Sequence, residues 1–110
     1  MANRKIKADT LRKVAAGSVT TSYAALGASL GNVWIQIVLK NSTDQTLWVS
    51  ENGTDDHYEL PPGTQEFYDF ESNTTGDTQS GKAIGTQFYV KAASGALPTS
   101  GSIILGGQYL

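Results

Sequence analysis

NVWIQIVLKNSTDQTLWVS, residues 32–50, is the stretch whose reading decides the fold. From Val33 to Lys40 the chain alternates, with Val33, Ile35, Ile37 and Leu39 on one face and Trp34, Gln36, Val38 and Lys40 on the other. A period of two sorts these residues only in an extended chain; a helix would scatter them around its circumference. NSTDQ then reads as a polar turn, and TLWVS as a second strand with Leu47 and Val49 opposite Trp48, which suggests a hairpin with its neighbour.

Toward the C-terminus the pattern repeats. ENGTDDH breaks the second strand, because Asn52-Gly53 favours a tight turn with positive φ. Pro61-Pro62-Gly63 forms a rigid turn that no central strand accommodates, and QEFYDF after it is a third strand with aromatics for both faces. ESNTTGDTQSGKA reads as a long exposed loop, with residues 72–82 as its variable tip. GTQFYVKA is a fourth strand with Phe88 and Val90 inward, and SIILGGQYL is a fifth. Gly106-Gly107 within that last strand implies a bulge or the close approach of another backbone.

Working back from residue 32, MANRKIKADTLRKVAAG is mostly polar, and SVTTSYAALGASLG is small and lacks a long apolar period. A short helix over 9–16 fits this stretch, capped by Asp9 or Thr10 and ended by Gly17. The reading is therefore all-β: a small antiparallel β-sandwich or barrel over residues 32–110, with residues 1–31 as an extended N-terminal arm.

Composition narrows the function. With 110 residues the chain has room for one core. There is no cysteine, which removes disulfides, thiolate metal sites and thiol nucleophiles. No apolar run approaches the roughly 18–20 residues of a membrane span, and the basic start leads into no signal-like apolar stretch, so synthesis in the cytoplasm is expected. The net charge of −2 conceals an asymmetry. Five cations against Asp9 leave residues 1–14 at +4, whereas three lysines against nine carboxylates leave the rest at −6. The basic arm lacks the interleaved aromatics of a single-strand binder, so nucleic acid is not expected, and an acidic neighbouring subunit suits the charge better.

His57 is the only histidine, so no histidine triad or two-histidine metal motif is available, and its place in Asp55-Asp56-His57 marks a solvated turn. Glu51, Asp55 and Asp56 offer oxygens for a calcium ion, but their spacing is not that of an EF-hand, and no metal or other cofactor is expected. Glu66 and Asp69 point to opposite faces of a strand, which spoils them, with Glu71, as a glycosidase pair. The sequons at Asn41, Asn52 and Asn73 are better read as turn chemistry. Trp34, Trp48, Tyr58, Tyr68 and Tyr89 suit either a sugar-stacking platform or ordinary packing. No catalytic pair stands out, so an enzyme is not expected.

Several turns and strands together resemble small structural proteins of tailed bacteriophages. The shared features are Ser22-Tyr23-Ala24-Ala25-Leu26-Gly27, Asn41-Ser42-Thr43-Asp44, Asn52-Gly53-Thr54-Asp55-Asp56-His57, Pro62-Gly63, Tyr89-Val90-Lys91 and Ser100-Gly101-Ser102, spanning about residues 20–110. The resemblance implies a virion component, made in the bacterial cytoplasm, that decorates or joins a capsid, neck or tail in many copies. Its partners would be other copies of itself and other virion proteins, with neither membrane nor small molecule involved. The arm would reach onto a neighbouring subunit, anchored by Ile6, Leu11, Val14, Tyr23, Leu26 and Leu30, whose burial must offset the roughly 1–2 kcal/mol of backbone entropy lost per ordered residue. The alternative is a receptor- or carbohydrate-binding module using Trp48, Tyr58 and the 72–82 loop.

Overall fold

A computed structural model describes residues 5–70, 81–93 and 95–110. It is an open β-sandwich, not a closed barrel, of nine strands among the described residues: β1 (Lys7–Ala8), β2 (Arg12–Ala15), β3 (Ala24–Ala25), β4 (Trp34–Asn41), β5 (Leu47–Ser50), β6 (Tyr58–Leu60), β7 (Gln65–Asp69), β8 (Tyr89–Ala92) and β9 (Ser102–Tyr109). One sheet runs β1-β9-β4-β7, with β2 following β1 along the same edge of β9; the other runs β3-β8-β5-β6. All pairings are antiparallel. Ile37, Leu39, Ile103 and Leu105 from the first sheet meet Leu47, Val49, Leu60, Val90 and Ala92 from the second in one core.

The strands expected at residues 33–40, 46–50, 65–70, 85–92 and 102–110 are present as β4, β5, β7, β8 and β9. Leu47 and Val49 are fully buried, as are Phe88 and Val90. Three expectations need correction. Residues 9–16 form no helix: Arg12–Ala15 is strand β2, and only Ala16–Ser18 make a single 3-10 turn. Backbone pairing with β9 outweighs a helix of barely two turns, which is marginal in isolation. Nor do β4 and β5 form a hairpin, since they lie in different sheets; β5 pairs instead with β6 and β8. Finally, Trp34 is not on the face opposite Ile37 but is fully buried in the core with it. A bulge shifts the register between Trp34 and Gln36 and turns the indole inward.

The corner that separates β4 from β5 is built by Asn41, which is fully buried. Its amide donates to the carbonyls of Gln45 at 2.8 Å and Leu60 at 2.7 Å. Its oxygen accepts from the Thr43 backbone N–H at 2.9 Å and the Thr43 hydroxyl at 2.6 Å. Both donors and both lone pairs are thereby used, which holds the β4–β5 crossing to the end of β6. The turn chemistry expected at this sequon is present, inside the fold.

Residues 5–31 fold onto the same body. Val19, Leu26 and Leu30 enter the common core, Val14 packs against it, and β2 pairs with β9 from Arg12↔Leu105 to Ala15↔Ser102. The contact that fastens this segment is Trp34, whose indole N–H donates to Asp9 Oδ2 at 2.7 Å. The Arg12 guanidinium lies 4.9 Å from the centre of the same ring and 3.5 Å from Asp9. It donates to the carbonyls of Thr10, Ala28 and Ser29. Two glycines make room. A Cβ on Gly107 would stand 2.1 Å from the indole, and one on Gly27, which has φ +72°, would stand 2.1 Å from Arg12 Cγ. The close approach expected at Gly106-Gly107 is thus made by a side chain, and β9 pairs with β4 in regular register through both glycines.

Two outcomes follow. Asn41→Leu leaves the corner carbonyls and the Thr43 N–H without their partner and is expected to cost about 2–4 kcal/mol, read as a lower urea midpoint at unchanged m-value. The hydrogen bond from Trp34, then that from the Thr10 N–H and the charge of Arg12, outweigh desolvation and hold Asp9 below the ordinary 3.8. A carboxyl depressed in the folded state stabilises above its unfolded value and loses that contribution as pH falls through the folded one. Asp9→Asn is therefore expected to lower the melting temperature at neutral pH and to flatten its decline below pH 3.8. A decline as steep as that of the parent, measured by thermal melts from neutral to strongly acidic pH, would count against this account.

Candidate interaction faces

Pairing register places twelve residues on the outer face of the five-stranded sheet in three rows across the strands. Lys13, Ile104, Lys40 and Gln65 form the first, and Ala8, Gln108, Gln36 and Asp69 the third. Between them run Gly106, Val38 and Phe67, paired on successive strands, and Leu11, which directly precedes β2 and whose Cδ2 would stand 3.1 Å from a Cβ on Gly106. This middle row is apolar, and it is open: Leu11 is 64% and Phe67 57% exposed. Gly106 carries no side chain, so the face sinks at its centre into a groove of about 430 Å³ between Leu11 and Phe67. Ile104, half-buried in the first row, widens the apolar patch. Among the cations, Arg12, Lys82 and Lys91 are drawn into ion pairs with Asp9, Glu51 and Asp56, while Lys13 and Lys40 stand together beside the stripe.

The outer face of the four-stranded sheet is organised differently. Trp48 stands outward between Lys91 and Glu59, its pairing neighbours on β8 and β6. Its indole N–H donates to Glu59 at 3.2 Å. The Lys91 ammonium lies 5.1 Å from the Trp48 ring and 4.6 Å from that of Tyr23, and 3.5 Å from Asp56, which also accepts the Tyr23 hydroxyl. Burial first, then Asp56, raises the Tyr23 hydroxyl above its usual pKa. A shallow cleft of about 260 Å³ lies here, lined by Trp48, Asp56, His57, Tyr58 and Glu59.

Trp48 and Tyr58 both line this cleft but differ in setting. Tyr58 is paired with the inward Val49, packs against the core, stacks at a tilt on Tyr68 with centres 5.6 Å apart, and donates to Glu51. Burial raises Glu51, but hydrogen bonds from Lys82, at 2.8 Å, and from Tyr58 outweigh it, and the carboxyl sits below its usual value. Burial, followed by Glu66, pushes Tyr68 up to about 12. Residues 72–80 of the loop expected to complete this surface, and the carboxylate Glu71 with the sequon at Asn73, lie outside the described residues.

The three carboxylates weighed for calcium have separate partners: Glu51 serves Lys82 and Tyr58, Asp55 serves Asn52, and Asp56 serves Tyr23 and Lys91. Among the described residues no three acidic or histidine side chains gather as a metal site. His57 is exposed, and its Nδ1 accepts the Glu51 N–H at 2.9 Å. Glu66 and Asp69 fall on opposite faces of β7, opposite Leu39 and Gln36 respectively.

The six expected arm anchors divide. Leu26 and Leu30 are fully or almost fully buried in the chain's own core, Val14 packs on it, and Tyr23 joins the Lys91 cluster. Ile6 and Leu11 remain exposed, and only Leu11 belongs to the apolar stripe. Val38, Phe67 and Ile104 are the members that reading the strands one at a time did not assemble. Their signal is an apolar residue on the outward face of each of three strands, and register alone shows that they adjoin. Compared with known proteins, the chain matches no family model, no curated protein and no solved structure.

Proposed function

We propose that this chain is a structural subunit of a bacteriophage particle, a β-sandwich built in multiple copies into the capsid, neck or tail. The observation that carries the reading is the exposed row of Leu11, Val38 and Phe67, widened by Ile104, across the five-stranded sheet. A contiguous apolar patch on a small domain costs free energy in water and is characteristic of a protein contact, and the lysine and glutamine rows beside it suit the polar rim of such a contact. The turn-and-strand resemblance quoted above supports the particle as the setting. Because Leu26 and Leu30 serve the chain's own core, the proposed contact runs through a sheet face that includes Leu11, and not through an exchanged arm.

A second reading, a receptor- or carbohydrate-binding module, has one observation in its favour: the Trp48 ring beside Asp56 and Glu59 in a shallow cleft, the pairing of aromatic face and carboxylate that suits a sugar.

Mass spectrometry of purified particles should find the chain at many copies each. Phe67→Asp, at a position already exposed, should leave the stability within about 1 kcal/mol of the parent's yet deplete the chain from particles. Absence of the chain from particles, together with saturable binding on a glycan array that Trp48→Ala abolishes, would overturn the structural reading in favour of the second.

A further inference from the structure

Resting on the reading of the outer sheet face as an assembly surface, we infer that its occupant is a second copy of this chain, packed face to face about a two-fold axis that lies in the face and runs across the strands.

The charge pattern selects both occupant and orientation. The face is polar in two unlike ways: the row with Ile104 carries Lys13 and Lys40, and the row with Gln108 and Gln36 ends in Asp69. A two-fold interface brings the same face of both copies together, so that whatever one row meets on the partner, the partner's copy of that row meets in return. Rotation about an axis across the strands sets the apolar row of each copy on that of the other. It lays each lysine row along the opposite glutamine and aspartate row, where Lys40 comes over Gln36 with Asp69 offset sideways by one strand spacing, about 4.8 Å. Rotation about an axis along the strands would instead stack the lysine rows on each other, and like charges brought together oppose association. One arrangement therefore buries the apolar stripes of both copies against each other while keeping the two lysine rows apart.

Size sets the strength. Four strands by three rows span roughly 20 by 20 Å, or about 400 Å². A stable pair usually buries about 800 Å² per partner, so the isolated dimer should be weak and concentration-dependent. In a particle, where many copies are held near one another, a weak contact is enough.

Sedimentation of the full chain over a wide concentration range tests this, alongside particle mass spectrometry, which reports separately on the structural reading. A reversible dimer is expected, with Phe67→Ser raising its dissociation constant at least about tenfold. Ile84→Ser, exposed elsewhere, should leave it unchanged. Lys40→Glu should weaken the dimer and reverse its salt dependence. A monomer at every concentration, or a dimer indifferent to Phe67→Ser, overturns the inference even if the chain is abundant in particles. A dimer strengthened by Lys40→Glu overturns the orientation, because that outcome belongs to stacked lysine rows. Melting curves confirm that each variant is folded.

Discussion

One buried indole organises the molecule. Trp34 sits at the irregular start of β4, and three separate parts of the chain have to suit it at once: Gly107 on β9 leaves the space, Asp9 accepts the hydrogen bond of the indole N–H, and Arg12 covers the ring. The full burial of so large a side chain removes much apolar surface from water, but only if its N–H finds an acceptor, since an unpaired polar hydrogen in the core would cancel much of the gain. Asp9 supplies that acceptor from outside the central strands. The N-terminal segment is consequently part of the sandwich, and the edge of β9 is covered by β1 and β2.

A second constraint acts at the opposite end of β4. Asn41 uses every hydrogen-bonding position of its amide to turn the chain from one sheet to the other, and its backbone N–H and carbonyl engage Thr64 and Gly63 after the β6–β7 crossing. Two of the crossings between sheets, β4–β5 and β6–β7, are thereby fixed to one residue. The register of β4 against β7 and β9 follows, and with it the alignment of Val38, Phe67 and Gly106 in a single row. The outer face is thus a consequence of two buried side chains, one at each end of the same strand.

The parts of this structure legible in sequence are those whose causes are local. The strands β4, β5, β7, β8 and β9 declare themselves through alternation and turn residues, and Asn52-Gly53 delivers its turn with Gly53 at φ +78°. Sheet partners are not local, which is why β4 and β5 look like a hairpin although the Asn41 corner separates them. The segment of residues 5–31 is opaque for a related reason. Its strands are two, four and two residues long, too short to show a period, and Val19, Leu26 and Leu30 enter the core from irregular backbone where no periodicity applies. The same blindness affects the apolar outer face. Leu11 stands out as an apolar residue in a polar stretch, but its neighbours on the face come from β4, β7 and β9, and only pairing shows that they adjoin it.

The topology also bears on how such a domain associates. Sheets grow most readily by adding strands at an edge, where unpaired backbone groups wait. Here the β9 edge is occupied by β1 and β2, and the gap between them is turned inward, with the Asp9 N–H on the Gly107 carbonyl and its carboxylate on Trp34. The outer strands of the second sheet, β3 and β6, are two and three residues long, so they offer little ladder to a newcomer. Backbone pairing is indifferent to side chains and tends toward open-ended growth, whereas a face reads side-chain shape and charge and closes when its symmetry is satisfied. Three of the four sheet edges are thus covered or very short, and β7, five residues long, is the fourth; under the proposed reading this leaves the apolar sheet face as the broadest surface for a contact that closes.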